Sequence, residues 1–182
     1  MSYPAAAIAN YFIQHAVERG EYLTPMKLQK LVYFAHGWHL ALTDGEALID
    51  ESIQAWEYGP VVPSLFHEFK EFGARPIMRK ANQTSGSFPI LEYQEPEVRQ
   101  DDEAVRTLLR RVWDIYGSRS AADLSALTHL PGTPWDRALK ENPGGLPKHF
   151  DLPDQWINEY FSEKLDEPKA NPQEAAGPQG SK

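Results

Sequence analysis

The sequence predicts a mainly α fold, α+β in that it carries short β-hairpin elements, wrapped around one buried central helix. Three observations carry that reading. The run Thr24 to Thr43, TPMKLQKLVYFAHGWHLALT, is apolar on nearly every side, as a helix packed all round must be. Several shorter stretches with helical spacing of apolar residues lie before and after it, punctuated by Gly and Pro. Only a few brief segments suit strands.

The central helix is expected over residues 25–43. Thr24 can cap its first turn, and Pro25 fits the first helical position, where a missing N–H costs nothing. Leu28, Leu31, Ala35, Trp38 and Leu42 form one stripe. Phe34, Gly37 and Ala41 form a second, and Met26, Tyr33 and Leu40 a third. The helix holds fewer than the ~20 apolar residues of a membrane span, and Lys27, Lys30, His36 and His39 interrupt it.

A first helix is expected from Pro4 to Arg19, capped by Ser2 or Tyr3, with Ile8, Tyr11, Phe12 and Val17 on its apolar face and Gly20 as its stop. The short link Glu21–Leu23 makes it an antiparallel neighbour of the central helix. After Thr43, Asp44-Gly45 is a turn pair. Leu48-Ile49 and Ile53 to Trp56 suit a small hairpin or strand-like arm, ended by Glu57-Tyr58-Gly59-Pro60. Gly59 to Pro63 then reads as a helix start, because both prolines fit a first turn. Val62, Leu65, Phe66, Phe69 and Phe72 would be that helix's inner stripe, with Gly73 as its stop.

Ala74 to Glu97 is the least regular part. Asn82 to Ser87 suits an exposed loop tip, and Ile77-Met78 could pair with Phe88–Tyr93 as a second hairpin. Glu92, Glu95, Glu97, Asp101, Asp102 and Glu103 stand against Arg99 alone. The last three acids favour the N-terminus of the next helix, whose inner side carries Val105, Leu108, Leu109, Val112 and Tyr116. Ser120 and Asp123 have capping-box spacing ahead of Leu124 and Leu127. Thr133-Pro134 opens another brief helix. Asn142 to Pro147 is rich in turn residues, and Asp151-Leu152-Pro153 leads into a last helix with Trp156, Ile157, Tyr160, Phe161 and Leu165. Beyond Asp166 no large apolar residue occurs. One domain over 1–166 followed by a disordered polar tail over 167–182 is the expected organisation.

Composition narrows the function. The chain is 41% hydrophobic and 24% charged, ordinary for a soluble globular protein. It has no cysteine, hence no disulfide and no thiolate metal site. Its N-terminus lacks a basic segment followed by an apolar core, so a cytoplasmic location is expected. A net charge of −8 suits a basic partner and argues against general phosphate-backbone binding.

No chemistry-bearing motif stands out. His36 and His39 are three apart, outside any HExxH pattern. His36 and Gln29 share a helix side and would form one buried hydrogen-bond network. His67, with Glu68 and Glu71, belongs to a solvated face, and His129 would cap carbonyls at a chain break. There is no phosphate loop, no GxSxG elbow and no cysteine nucleophile. No catalytic, cofactor-binding or metal-binding residue is therefore assigned. The more suggestive segment is Trp56-Glu57-Tyr58-Gly59-Pro60. Aromatics there flank a turn, and Trp and Tyr are enriched at binding hot spots. The competing reading makes Trp56 and Tyr58 core anchors. Lys27 and Lys30 could reach a partner's carboxylates from the first turn of the central helix, or snorkel without a specific role.

These blocks resemble a known family. LTPMKLQKLVYFAHGWHLAL, then AWEYGPVVPSLFHEFKEFG, then VWDIYGSRSAADLSALTHLPGTPWDRA occur in the order seen in the Panacea domain, the SocA-like antitoxins of bacteria and their phages. The likeness runs from about Pro4 to about Ala138. It implies a mostly helical domain that neutralises a cognate toxin by protein–protein contact, with no catalytic residues to carry over. One member of the family instead delivers its toxin to an ATP-dependent protease, which implies a protease complex as an alternative partner. A small hydrolase using His36 or His67 is the remaining alternative. No membrane partner is expected, and no attached DNA-binding domain, which argues against direct operator binding. Partner contact is expected from Trp56, Tyr58, Gly59 and Pro60, from Lys27 and Lys30, and from Glu92, Glu95 and Glu97 meeting a basic face.

Overall fold

The central helix forms where its cap and periodicity place it. Thr24 accepts the Lys27 N–H, Pro25 occupies the first turn, and α2 runs Pro25–Leu42. The computed structural model describes residues 2–87 and 90–167. Six further helices follow the predicted order: α1 (Ala5–Glu18), α3 (Pro63–Phe69, extended by a 3₁₀ turn, Lys70–Phe72), α4 (Glu103–Tyr116), α5 (Ala121–Thr128), α6 (Pro134–Glu141) and α7 (Asp154–Asp166). The fold is mainly α with short β elements. No described helix is long and apolar enough to cross a membrane.

α2 touches α1, α3, α4, α5 and α7, and its three stripes supply much of the core. Phe34 stacks on Tyr116 with centroids 4.2 Å apart, and Trp38 meets Phe161 edge-on at 5.0 Å. Trp38 Nε1 also donates to the Tyr116 hydroxyl at 3.1 Å. Gly37 lets α7 come this close: a Cβ there would lie 2.2 Å from the Phe161 ring. Each large side chain fully buried in this way contributes about 1.5–3 kcal/mol.

The polar helix ends are satisfied as their sequences foretell. Asp102 accepts the Val105 N–H, Ser120 and Asp123 complete a capping box, and Thr133 accepts the Asp136 N–H. At α1 the expected cap by Ser2 or Tyr3 gives way. The Tyr3 backbone is already committed to a bridge with Leu48 and Asp50. Glu51 instead accepts the Ala5 N–H, at 2.8 Å.

The strands hold the main corrections. β1 (Ile53–Trp56) pairs antiparallel with β2 (Gly59–Val61) in the register Gln54↔Val61, Ala55↔Pro60, Trp56↔Gly59. The prolines after Gly59 therefore do not both belong to a helix. Pro60 sits opposite Ala55, and the helix waits for Pro63. The cause is Gln29, which holds both the N–H and the carbonyl of Val62 and keeps that residue extended. A β3 strand (Gln83–Ser87) pairs with β4 (Ile90–Gln94) where a loop tip was expected. Ile77 is instead buried, with its N–H on the Leu23 carbonyl. Asp151–Leu152 becomes β5, on the far side of β1 in the order β2-β1-β5. Phe88 and the segment 168–182 lie outside the described residues.

Candidate partner-binding site

The β1–β2 hairpin turns on two residues, Glu57 and Tyr58. Gly59 follows at φ 96°, where any Cβ is strained. What sets this turn apart is how its carbonyls are satisfied. Trp135 Nε1 donates to the Trp56 carbonyl at 2.7 Å, and His129 Nε2 faces that of Glu57 at 3.1 Å. Ser125 Oγ donates to the Tyr58 carbonyl at 3.0 Å, and Lys30 Nζ to that of Pro60 at 2.9 Å. The donors come from α2, from α5 and its C-cap, and from α6. A turn whose backbone groups would otherwise depend on water is thereby tied to three helices.

The clamp is close-packed. A Cβ on Gly59 would fall 2.3 Å from Thr128 Oγ1 and 3.0 Å from Lys30 Nζ. His129 Nδ1 also faces the Ser125 carbonyl at 2.6 Å, and its ring rests 3.9 Å from that of Trp135. His129 thus caps carbonyls, as its place before a chain break suggests.

Lys30 is 1% exposed. It does not reach solvent, let alone a partner's carboxylate, and burial pushes its ammonium down to a pKa of about 7. Lys27 is half-buried. Its Nζ donates to the Gly117 carbonyl at 2.5 Å, which caps the end of α4, and burial lowers its pKa. The expected outward role of both lysines gives way to structural ones, because carbonyls of a turn and a helix end lie within reach.

The aromatics of the turn separate. Tyr58 is 61% exposed, so it is no core anchor. Trp56 is half-buried, with Phe66 edge-on at 4.8 Å and its Nε1 on the Gln54 side chain. Glu95 and Glu97 follow the other hairpin, just past β4, both in ion pairs with Lys80 at 3.4 and 3.0 Å. The Glu92 side chain lies outside the described residues. The nine candidate residues are thus split. Lys30, Trp56, Tyr58, Gly59 and Pro60 gather at one turn, Lys27 sits at the end of α4, and the acids belong to β4 and the segment after it.

The histidines form no shared centre. His36 and Gln29 do not join in one network: His36 Nε2 pairs with Asp154 Oδ1 at 2.9 Å, whereas Gln29 is spent on Val62. His15 Nδ1 lies 3.2 Å from Arg19 Nη1, and its Nε2 is buried without a hydrogen-bond partner. That ring meets Trp113 edge-on at 5.1 Å, and burial lowers its pKa. No cluster of three or more His, Asp or Glu fit for a metal occurs among the described residues.

Sequence reasoning singled out the turn but missed Lys30, Ser125 and Trp135 as its holders. The only local signal was that Ser125 and Trp135 fall in short, well-capped helices.

Comparison with known proteins agrees with the blocks that surround these residues. The family described as Antitoxin SocA-like, Panacea domain, matches residues 28–136, which take in Lys30, the hairpin and Trp135. Antitoxin SocA of Caulobacter vibrioides (strain NA1000 / CB15N) is 32% identical over 143 residues, covering 79% of this chain and 73% of that protein. No solved structure matches the chain. With a clamped hairpin inside the matched span and a relative aligned over most of both lengths, the chain belongs to the SocA-like antitoxin family of the Panacea domain.

Proposed function

We propose that this chain is a cytoplasmic antitoxin that neutralises a cognate toxin by binding it directly and catalyses no reaction. The observation that carries the reading is the hairpin tip. Four of its carbonyls are held by side chains from the core, yet Tyr58 stands 61% exposed at its crest. An aromatic kept in water on a rigid support loses little conformational entropy on binding, which favours affinity. The deep burial of His36, engaged with Asp154, also supports a role without catalysis.

Co-expression with the product of the neighbouring gene tests this. The wild-type chain should restore growth and co-purify with that product. Tyr58→Ala should weaken the complex by roughly 10- to 100-fold, as loss of an aromatic hot spot does, and leave the melting temperature unchanged. Failure of the wild-type chain both to rescue and to co-purify would end the proposal.

A further inference from the structure

We infer that a groove beside the clamped hairpin is the socket for one apolar side chain of the toxin, borne next to a lysine or arginine that meets Glu57. The inference rests on the toxin-binding reading and deepens it.

The groove exists because two strands part. β5 pairs with β1 at Ile53 and Gln54, and the Ala55 N–H still reaches the Phe150 carbonyl at 2.9 Å. At His149 the backbone takes φ 61°, an angle that non-glycine residues adopt uncommonly, and the ladder goes no further. Trp56 of β1, Trp135 and Leu139 of α6, and Leu146 and Pro147 ahead of β5 line it. The space is about 700 Å³ and opens broadly to solvent. A large side chain with its flanking backbone fits such a volume.

The walls are apolar and partly wet. Leu139, in the lining, is 37% exposed; Phe66, which packs on Trp56 outside the lining, is 39% exposed. Apolar surface left in water around a concavity marks an interaction site.

The mode of entry follows from the clamp. An exposed strand end could recruit a partner strand through free backbone groups. Here the Trp56 carbonyl already accepts from Trp135, and the His129 ring stands against that of Glu57. Strand addition finds this end of β1 obstructed by side chains, and insertion of a side chain is left.

The charge of the insert follows from the rim. Glu57 is exposed on the hairpin side, and its carboxylate has no ion-pair partner among the described residues. The clamp fixes its position, and the chain as a whole carries −8. Lys148, which also lines the groove, has no ion pair among the described residues either. The insert therefore enters with its cation toward the hairpin and away from Lys148.

The test is calorimetric titration of the full chain with the toxin from the neighbouring gene, at low and high salt. Leu139→Arg and Leu139→Trp should each raise Kd by about 100-fold or more, one by charging the groove and the other by filling it. Glu57→Lys should raise Kd about tenfold at low salt and remove most of the salt dependence. Leu165→Arg, at an exposed position on α7, should bind as the wild type does. Unchanged circular dichroism and melting show that the variants fold. If the wild type binds and both Leu139 variants bind equally well, the socket is overturned and the toxin-binding reading stands. If the wild type does not bind, both fall. If sedimentation shows self-association that Leu139→Arg abolishes while toxin affinity is kept, the socket serves a second copy of this chain and the inference is overturned.

Discussion

The two hairpins are fastened differently. β1–β2 is held at its tip, by side chains that reach the carbonyls of Trp56, Glu57, Tyr58 and Pro60. β3–β4 is held at its foot. Asn10, buried on α1, donates to the Ala81 and Pro96 carbonyls at 3.0 Å each and accepts the Ala81 N–H at 2.6 Å. Lys80 adds ion pairs to Glu95 and Glu97. A tip tied into the core opens only when the core does, whereas a hairpin tied at its foot can open on its own. Of the two surfaces the sequence offers for partner contact, the aromatic turn is preorganised by its support.

The largest expected effect lies at the clamp. Gly59→Ala sets a side chain at φ 96° and drives its Cβ to 2.3 Å from Thr128 Oγ1. Backbone strain of about 1–2 kcal/mol and overpacking of about 1–3 kcal/mol add to a loss of roughly 4 kcal/mol, read by urea unfolding. Gly20→Ala, at φ 71° with nothing within 4 Å, isolates the strain at about 1 kcal/mol. Equal losses at the two sites would mean that the turn is not tightly held.

Asn10→Ala probes the other fastening. It leaves the buried Ala81 N–H and two carbonyls without a partner, which costs about 2–3 kcal/mol. Amide hydrogen exchange should accelerate from Ala81 through β3 and β4 more than in β1 and β2. Uniform acceleration across both hairpins would break the contrast.

The same contrast separates what the sequence discloses from what it hides. α2 was legible because a cap, a proline and a 3.6-residue period agree over one continuous stretch. Tyr58 stood out as a turn aromatic. The clamp was not legible, because its bonds join residues remote in the chain: Trp135 and Trp56 are 79 apart, and Lys30 and Pro60 are 30 apart. No spacing rule connects such pairs. Lysines on apolar helices usually snorkel, and only the placement of the Pro60 carbonyl makes the burial of Lys30 tolerable. Pro60 misled for a related reason. A proline fits a helical first turn and also a strand position that donates no ladder bond, and Gln29 decided between them. β5 is two residues long, too short for any pattern. The groove depends on where β5 leaves β1, so it shared that invisibility.

Lys30 gives the clamp a signature in pH. Its pKa is about 7 in the fold against an ordinary 10.5. Between those values the unfolded chain holds a proton that the folded chain has released, so stability rises with pH across that window. The slope from this one group approaches about 1.4 kcal/mol per pH unit in mid-window. Lys27, lowered by burial too, adds to it with the same sign. Tyr33, Tyr116 and Tyr160, all raised by burial, oppose it only above about pH 10, where the unfolded chain loses phenolic protons first. Lys30→Met should therefore flatten the stability profile between pH 7.5 and 9.5 (approximate bounds set by those two pKa values). An unchanged slope would show that the ammonium is hydrated and that the tip is held less firmly than the foot.

The smallest expected effect sharpens the foot. The Lys80 side chain is partly exposed, and Glu95 and Glu97 are more so. Exposed ion pairs contribute about 0–1 kcal/mol and are screened by salt. Lys80→Ala should thus cost under about 1 kcal/mol in low salt and close to nothing at high salt. Asn10→Ala should keep its full cost at both, because a buried hydrogen bond is screened far less. If removing Lys80 cost as much as removing Asn10, charge would be fastening the second hairpin. A basic toxin face that drew Glu95 and Glu97 away from Lys80 would then loosen it. The small loss expected leaves those two acids free to change partners while the foot stays closed.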